Sequence, residues 1–151
     1  MDPEPFFLYC SINSPHPPMW TNATWLKQVA SREQVEAILP ERPPVGGMHP
    51  YDVYQSFSEG VAQANVSRAD FVMYVRTYLG RVAMADALMG RVIDAFESTW
   101  AADSALRLFV ADHGEMKLQD NLVEKMSPYD ASVRIPFIVS PPRDGSWDRY
   151  I

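Results

Sequence analysis

The residues best suited to chemistry stand in the segment LFVADHGEMKLQDNLVEK: Asp112, His113, Glu115 and Lys125. Asp112 and His113 are adjacent and directly follow an apolar run, Leu106 to Ala111, that reads as a strand. One brings an oxygen donor and the other a nitrogen donor, a mixed set that suits a divalent cation. Gly114 lets the main chain turn sharply and approach an ion or anion closely. In open α/β sheets, ligands bind beyond the carboxyl ends of strands, which is where this pair falls. Two ligands do not close a metal shell, so other parts of the molecule or a substrate must complete it. The opposing reading is local, with the Asp112 carboxylate capping its own turn. His16 lies between prolines in SPHPP, after the apolar run Phe6 to Ile12. Rigid backbone on both sides suits a positioned functional group, and equally an ordinary turn histidine. His49 in GMHPYD shares that ambiguity with less context. Lys125 taken alone reads as a solvated surface lysine, and Glu115, Asp120 and Glu124 as the solvated face of the loop.

The elements that must position these groups follow a recognisable order. Phe6 to Ile12, FFLYCSI, is continuously apolar and aromatic, which predicts a strand buried on both faces in a parallel sheet. Cys10 inside it reads as a small buried hydrophobe. The strand and its histidine turn occupy 5–20, where prolines forbid continuation. An irregular insert, 21–66, follows with one short helix. A long helix over 67–100 begins at a Ser-x-x-Asp capping box, Ser67-Arg68-Ala69-Asp70. Phe71, Val75, Tyr78, Val82, Ala85, Met89, Val92 and Phe96 recur at spacings of four and three, tracing one apolar stripe. Its methionines read as core filler, and Asp86 lies near the stripe, at its margin or paired with a loop residue. The segment 105–140 then holds the strand leading to Asp112, the Lys125 loop and a third strand, Ile135 to Ser140. Strand, long helix, strand, loop, strand predicts an α/β fold with a mainly parallel sheet flanked by helices.

Composition narrows the function classes. The net charge of −6 and the lack of a basic stripe exclude a nucleic-acid partner. No apolar run approaches the roughly 20 residues of a membrane-spanning helix. The N-terminal MDPEPFFLYC has neither the basic nor the apolar region of a signal peptide, which leaves the compartment open. A single cysteine excludes an internal disulfide framework. The sequons Asn22-Ala23-Thr24 and Asn65-Val66-Ser67 would matter only in a secreted chain.

The combination resembles a known family. FVADHGEMKLQDNLVEKMSPYDASVRIPFIVSPP is similar to the C-terminal part of the catalytic domain of sulfatases, in the alkaline-phosphatase-like superfamily. That pattern runs from a strand into Ser/Ala-Asp-His/Asn-Gly-Glu, through a loop to a Lys, then into Tyr-Glu/Asp-x-Ser-x-Arg-x-Pro and a strand. Here it reads Ala111-Asp112-His113-Gly114-Glu115, Lys125, and Tyr129-Asp130-Ala131-Ser132-Val133-Arg134-Ile135-Pro136. FFLYCSINSPHPP resembles the family's upstream strand and Pro-His-Pro turn, and GMHPYDVYQSF with ADALMGRVIDAF resembles the arylsulfatase K branch.

The resemblance implies a partial alkaline-phosphatase-like fold with the N-terminal half of the domain missing. It implies that Asp112 and His113 ligate one divalent cation, usually Ca2+, and that Lys125 contacts sulfate oxygens. It places His16 against the sulfate or the leaving-group oxygen, and makes Asp130 and Arg134 structural anchors of the Lys125 loop. Many members carry Asn at the position of His113, and either residue supplies a donor. A metal ion and a lysine aimed at the oxygens of a sulfate ester stabilise the charge that accumulates there in the transition state. A histidine near the bridging oxygen can protonate the departing alcohol. The family's nucleophile is a formylglycine made from Cys in Cys-x-Pro-x-Arg. Cys10 is followed by Ser11, Ile12, Asn13 and Ser14, so it is not that residue. The expectation is therefore a sulfuric ester hydrolase by family, acting on a sulfated small molecule or carbohydrate, whose nucleophile and paired-Asp metal strand lie in a missing N-terminal half. That half is an expected partner, and this chain alone should not turn over. Full-length family members are usually secreted or lysosomal. A phosphomonoester, phosphodiester or phosphonate hydrolase of the same superfamily, and a non-catalytic binding or structural remnant, are the alternatives.

Overall fold

The structure is a computed structural model and describes residues 4–61 and 66–149, so Asn65 of the second sequon lies outside the described residues. The chain is organised around one long helix. In order it forms α1 (Ala23–Leu26), α2 (Arg32–Ile38), α3 (Pro50–Ser58), α4 (Arg68–Glu97), β1 (Arg107–Val110), α5 (Asp130–Val133) and β2 (Phe137–Ser140). Short 3-10 turns occupy Val45–Gly47, Gln119–Asn121 and Ser146–Arg149. The stretch expected to be an irregular insert with one helix thus holds three. Each begins at its own cap: Asn22 for α1, Ser31 with Gln34 in a capping box for α2, and the His49 ring for α3. His49 Nδ1 accepts from the Tyr51 N–H at 3.2 Å, so its observed role is that of a helix cap.

α4 starts at the capping box predicted for it. The Ser67 hydroxyl accepts from the Asp70 N–H at 3.2 Å, and the Asp70 carboxylate accepts from the Ser67 N–H at 3.0 Å. At 30 residues, α4 is about 45 Å long, and its buried residues, Phe71, Val72, Thr77, Gly80 and Arg81, all lie in its first half. α1 and α2 pack on that half. A Cβ on Gly80 would stand 3.1 Å from Thr21 Cγ2, so the close approach of the α1 entrance depends on this glycine. Three arginines of α4 hold the preceding chain by its carbonyls. Arg68 donates to Glu36, Leu39 and Pro40, Arg76 to Leu26 and Ala30, and Arg81 to Pro15, His16 and Trp20. Beyond Arg81 the apolar stripe surfaces in part, Val82 and Val92 being exposed, as are Leu88 and Ile93 beside it. Asp86 is exposed as well, at the margin of the stripe.

The sheet differs from expectation in two respects. β1 and β2 pair antiparallel, in the register Arg107↔Ser140 to Val110↔Phe137, where a parallel sheet was expected. A parallel connection needs a crossover of a dozen or more residues that runs back along the sheet, usually a helix. Here the segment between the strands folds into the Lys125 loop and the four-residue α5. Phe6 to Ile12, expected as a strand, has no strand partner among the described residues and is largely exposed, Phe7 being 89% so. Cys10, expected to be buried, is exposed with it. A strand apolar on both faces acquires its burial only from neighbours on each side. β1 and β2 are exposed likewise, at Leu108, Val110, Phe137, Ile138 and Val139.

The core lies instead beneath the loop that follows β1. Met116, Leu118 and Leu122 are buried there, and Leu118 joins Val61 and Phe71 in a cluster flanked by Leu39, Tyr74, Val75 and Val123. The segment that reads as a charged connection is therefore among the best-packed parts of the molecule.

Candidate active site

Asp112 lies two residues beyond the end of β1. Its Oδ1 accepts from the His113 N–H at 3.0 Å, while Oδ2 stands 3.6 Å from His113 Nε2, with the carboxylate side chain 88% exposed. One oxygen thus caps the local turn and the other remains directed at the imidazole. His113 Nδ1 lies 2.8 Å from the Gly114 carbonyl. A carbonyl only accepts, so in the neutral ring Nδ1 carries the proton and Nε2 presents its lone pair. This is the second-sphere arrangement that orients metal-binding histidines. A separation of 3.6 Å lets one cation with bonds of roughly 2.0–2.6 Å meet both donors. The oxygen and nitrogen pair fits a divalent ion. Among the described residues no group of three or more His, Cys, Asp or Glu gathers to hold one, here or elsewhere.

Gly114 joins this turn to the Lys125 segment. Its N–H donates to the Ser132 carbonyl at 2.7 Å, and the next N–H, of Glu115, donates to the Ala131 carbonyl at 2.8 Å. A Cβ on Gly114 would stand 2.0 Å from the Ala131 oxygen, a contact no side chain tolerates. Ser132 completes the link, its hydroxyl donating to the Lys125 carbonyl at 2.5 Å. Asp112, His113 and Lys125 are thereby fixed to one another through Ser132. The expected anchors behave differently. Asp130 and Arg134 are both exposed and pair with each other at 3.0 Å, one turn apart across α5. Beside Ser132, the observed anchors come from α3. The Tyr129 hydroxyl donates to the buried Asp52 carboxylate at 2.6 Å, and the Tyr51 hydroxyl donates to the Met126 carbonyl at 3.3 Å. The hydrogen bond to Asp52 holds the Tyr129 phenol up at about 12.

Glu115 corrects a second expectation. It is buried, and its Oε1 accepts from the N–H groups of Lys117 and Glu124, at 3.0 and 2.8 Å, with the Tyr74 hydroxyl at 3.5 Å. Lys117, Leu118, Asp120, Asn121 and Glu124 all have positive φ between 50° and 65°. Of these, Lys117 and Glu124 turn their N–H groups onto the Glu115 carboxylate, while the Asn121 N–H closes a local turn on the Leu118 carbonyl. Glu124, also expected to be solvated, is half-buried, and its carboxylate lies 3.3 Å from Lys125 Nζ. Asp120 is half-buried too. Burial, followed by the nearby Glu115 charge, pushes the Tyr74 phenol far above its ordinary range.

His16 sits on a separate turn. Its N–H donates to the Asn13 carbonyl at 2.9 Å, and its Nδ1 lies 2.9 Å from the Pro17 carbonyl, leaving Nε2 outward. Among the described residues no hydrogen bond or ion pair joins this turn to the Asp112–Lys125 unit directly. They share α4. Tyr74, Tyr78 and Arg81, spaced four and three, lie on one stripe of that helix. Tyr74 reaches Glu115, the Tyr78 ring lies under Lys117 Nζ at 5.3 Å, and Arg81 holds the His16 turn. None of the three stands out as functional in the sequence. The available signal for Arg81 was negative: a proline-rich turn has few N–H groups with which to fix itself, so a donor must come from elsewhere.

The sulfatase family model matches residues 2–146, nearly the whole chain, and the chain belongs to that family. Among characterised relatives it is similar to arylsulfatase K of Xenopus laevis, 29% identical over 153 residues, and of Homo sapiens, 26% identical over 152 residues. Those alignments take in 93% and 92% of this chain but 28% of each relative, so the chain spans a little over a quarter of their length. Among solved structures it resembles the phosphonate monoester hydrolase SpPMH of Silicibacter pomeroyi, with a TM-score of 0.62 and 25% identity over 85% of this chain and 27% of that one. The phosphonate monoester hydrolase of Agrobacterium radiobacter matches with a TM-score of 0.61 and 19% identity, over 85% of this chain and 28% of that one, a likeness of fold.

Proposed function

We propose that this chain carries the metal-and-anion half of a sulfuric ester hydrolase site, with Asp112 and His113 as two cation ligands and Lys125 and His16 as contacts to the sulfate ester. The observation that supports it most is the pair of metal-donor atoms, Asp112 Oδ2 and His113 Nε2, 3.6 Å apart and tied through Ser132 to Lys125. A Ca2+ ion bound there would supply Lewis-acid stabilisation of negative charge on the ester oxygens. The Lys125 ammonium has three donors and, among the described residues, one carboxylate within ion-pair distance, Glu124, which leaves hydrogen-bonding capacity for an anion. His16 directs Nε2 outward and, when protonated, can hand its proton to a departing alcohol oxygen. The nucleophile lies outside these residues, because no Cys-x-Pro-x-Arg occurs in this sequence. The natural completing partner is the remainder of a sulfatase catalytic domain, and the substrate a sulfated small molecule or carbohydrate.

Calorimetric titration of the chain with Ca2+ tests the metal reading. Weak saturable binding that Asp112→Asn and His113→Ala each abolish is expected, and binding untouched by both substitutions would overturn it. An assay with an aryl sulfate and Ca2+ should give no turnover from the chain alone. A second reading, hydrolysis of a phosphonate or phosphate ester, draws on the likeness to SpPMH. Competition between sulfate and methylphosphonate for the Lys125 site separates the two.

A further inference from the structure

Arg81 is a buried cation, 8% exposed, and among the described residues it has no carboxylate within ion-pair distance. Removing a charge from water is costly unless its hydrogen-bonding capacity is met. Here it is met by main chain alone. Nε donates to the Pro15 carbonyl at 3.2 Å, one terminal nitrogen to the Trp20 carbonyl at 3.2 Å, and the other to the His16 carbonyl at 2.8 Å. The Ser14 hydroxyl returns a bond to the Arg81 carbonyl at 3.0 Å. The turn between Ser14 and Trp20 contains three prolines, which have no N–H. Its own main-chain bonds are His16 N–H to Asn13 and Trp20 N–H to Pro18. Much of the restraint on this turn is therefore supplied by α4.

The three contacts bracket one side chain. Arg81 grips the carbonyls of His16 itself and of the residue before it. The imidazole in turn is held by its Nδ1 against the carbonyl of the next residue, Pro17, at 2.9 Å. That last contact needs the Pro17 carbonyl to face the ring, an orientation that depends on the main-chain position of the turn. We propose that Arg81 is the positioning residue of His16: by clamping the turn it keeps the proton on Nδ1 and holds Nε2 outward as the nitrogen available to a ligand. This rests on the reading of His16 as a substrate contact, and Arg81 itself touches no substrate. The planar fork of a guanidinium matches three divergent carbonyls, and the compact ammonium of a lysine on a flexible stem does not.

The test uses the whole 151-residue chain, labelled with 15N, and long-range 1H–15N spectra of its three histidine rings, assigned through His16→Gln. In the parent chain His16 should give one set of signals in the Nδ1–H form. In Arg81→Lys, which keeps the charge, the ratio of Nδ1–H to Nε2–H at His16 should fall severalfold while His49 and His113 stay unmoved. An unchanged His16, or three histidines moving together, overturns the proposal. Ser14→Ala is the milder variant and should shift His16 in the same direction by less. A folded Ser14→Ala chain with an unchanged His16, beside an Arg81→Lys chain that does not fold, would also overturn it, since Arg81 would then hold the fold and not the ring. Titration with inorganic sulfate separates the two readings. Loss of the Nδ1–H form in Arg81→Lys, with no His16 response to sulfate in the parent chain, supports the positioning role while removing the assigned ligand.

Discussion

Gly114→Ala is the sharpest single test of how the candidate site is assembled. The added methyl would stand 2.0 Å from the Ala131 oxygen, with the Ala131 carbon and Ser132 oxygen at 3.0 and 3.1 Å. The Asp112–Glu115 strand end and the Ala131–Ser132 backbone must separate by roughly an ångström to relieve it, and hydrogen bonds of 2.7 and 2.8 Å do not survive such a displacement. Each lost bond costs about 1 kcal/mol, and forcing a methyl into a packed contact about 1–3 kcal/mol more. Against this, alanine restricts the unfolded chain and returns about 0.4–1 kcal/mol. The net destabilisation is about 3 kcal/mol, a large share of the roughly 5–15 kcal/mol typical of a folded domain. In urea unfolding, with a slope of about 2 kcal/mol per molar, the midpoint should fall by about 1.5 M. Amide exchange at residues 114 and 115 should accelerate more than exchange in α4. A midpoint within about 0.25 M of the parent, equivalent to about 0.5 kcal/mol, would refute the steric argument.

Other perturbations address the supports around the site. Glu115→Ala leaves the Lys117 and Glu124 N–H groups without their acceptor and should cost about 2–4 kcal/mol by the same denaturation measurement. Tyr129→Phe removes the donor to buried Asp52 and should cost about 1–3 kcal/mol. It should also delete the phenol that ionises near 12 in a spectrophotometric titration. Because the folded value of Tyr129 lies above its ordinary one, its stabilising contribution is complete below pH ~10 and fades as pH rises through 12. The hydrogen bond from the Ser67 hydroxyl, then the one from its main-chain N–H, hold the Asp70 carboxyl below its ordinary value. That contribution is therefore present above the ordinary aspartate range and is lost as pH falls through the depressed value. Circular dichroism of α4 should show the acid loss in the parent chain and less of it in Ser67→Ala.

What could be read from the residues alone divides along a physical line. α4 was legible because its apolar spacing and the Ser67–Asp70 cap are local features that repeat or recur in fixed patterns. The cores of β1 and β2, at Arg107–Val110 and Phe137–Ser140, fall inside the expected apolar runs for the same reason. Their antiparallel pairing was not legible, since direction is set by how the intervening loop folds. Phe6 to Ile12 carries the composition of a buried strand, but composition records what a segment can bury, and its neighbours decide whether it does. Glu115 read as solvated, and Ser132 and Arg81 were given no role of their own, because each acts on main-chain groups. Such bonds leave no periodic trace in the side chains of the partner, so a buried carboxylate reads like a solvated one until the loop closes around it.

The shared stripe of Tyr74, Tyr78 and Arg81 also makes α4 a ruler. Deleting Leu79 or Gly80 would turn everything after it by about 100° and draw it back by about 1.5 Å. Arg81 would then leave the His16 turn while Tyr74 and Tyr78 kept hold of the loop after β1. Side chains along this helix can change one at a time, but the number of residues between the two grips cannot. Related chains that keep both grips should therefore preserve the count between them even where identity along the helix has drifted.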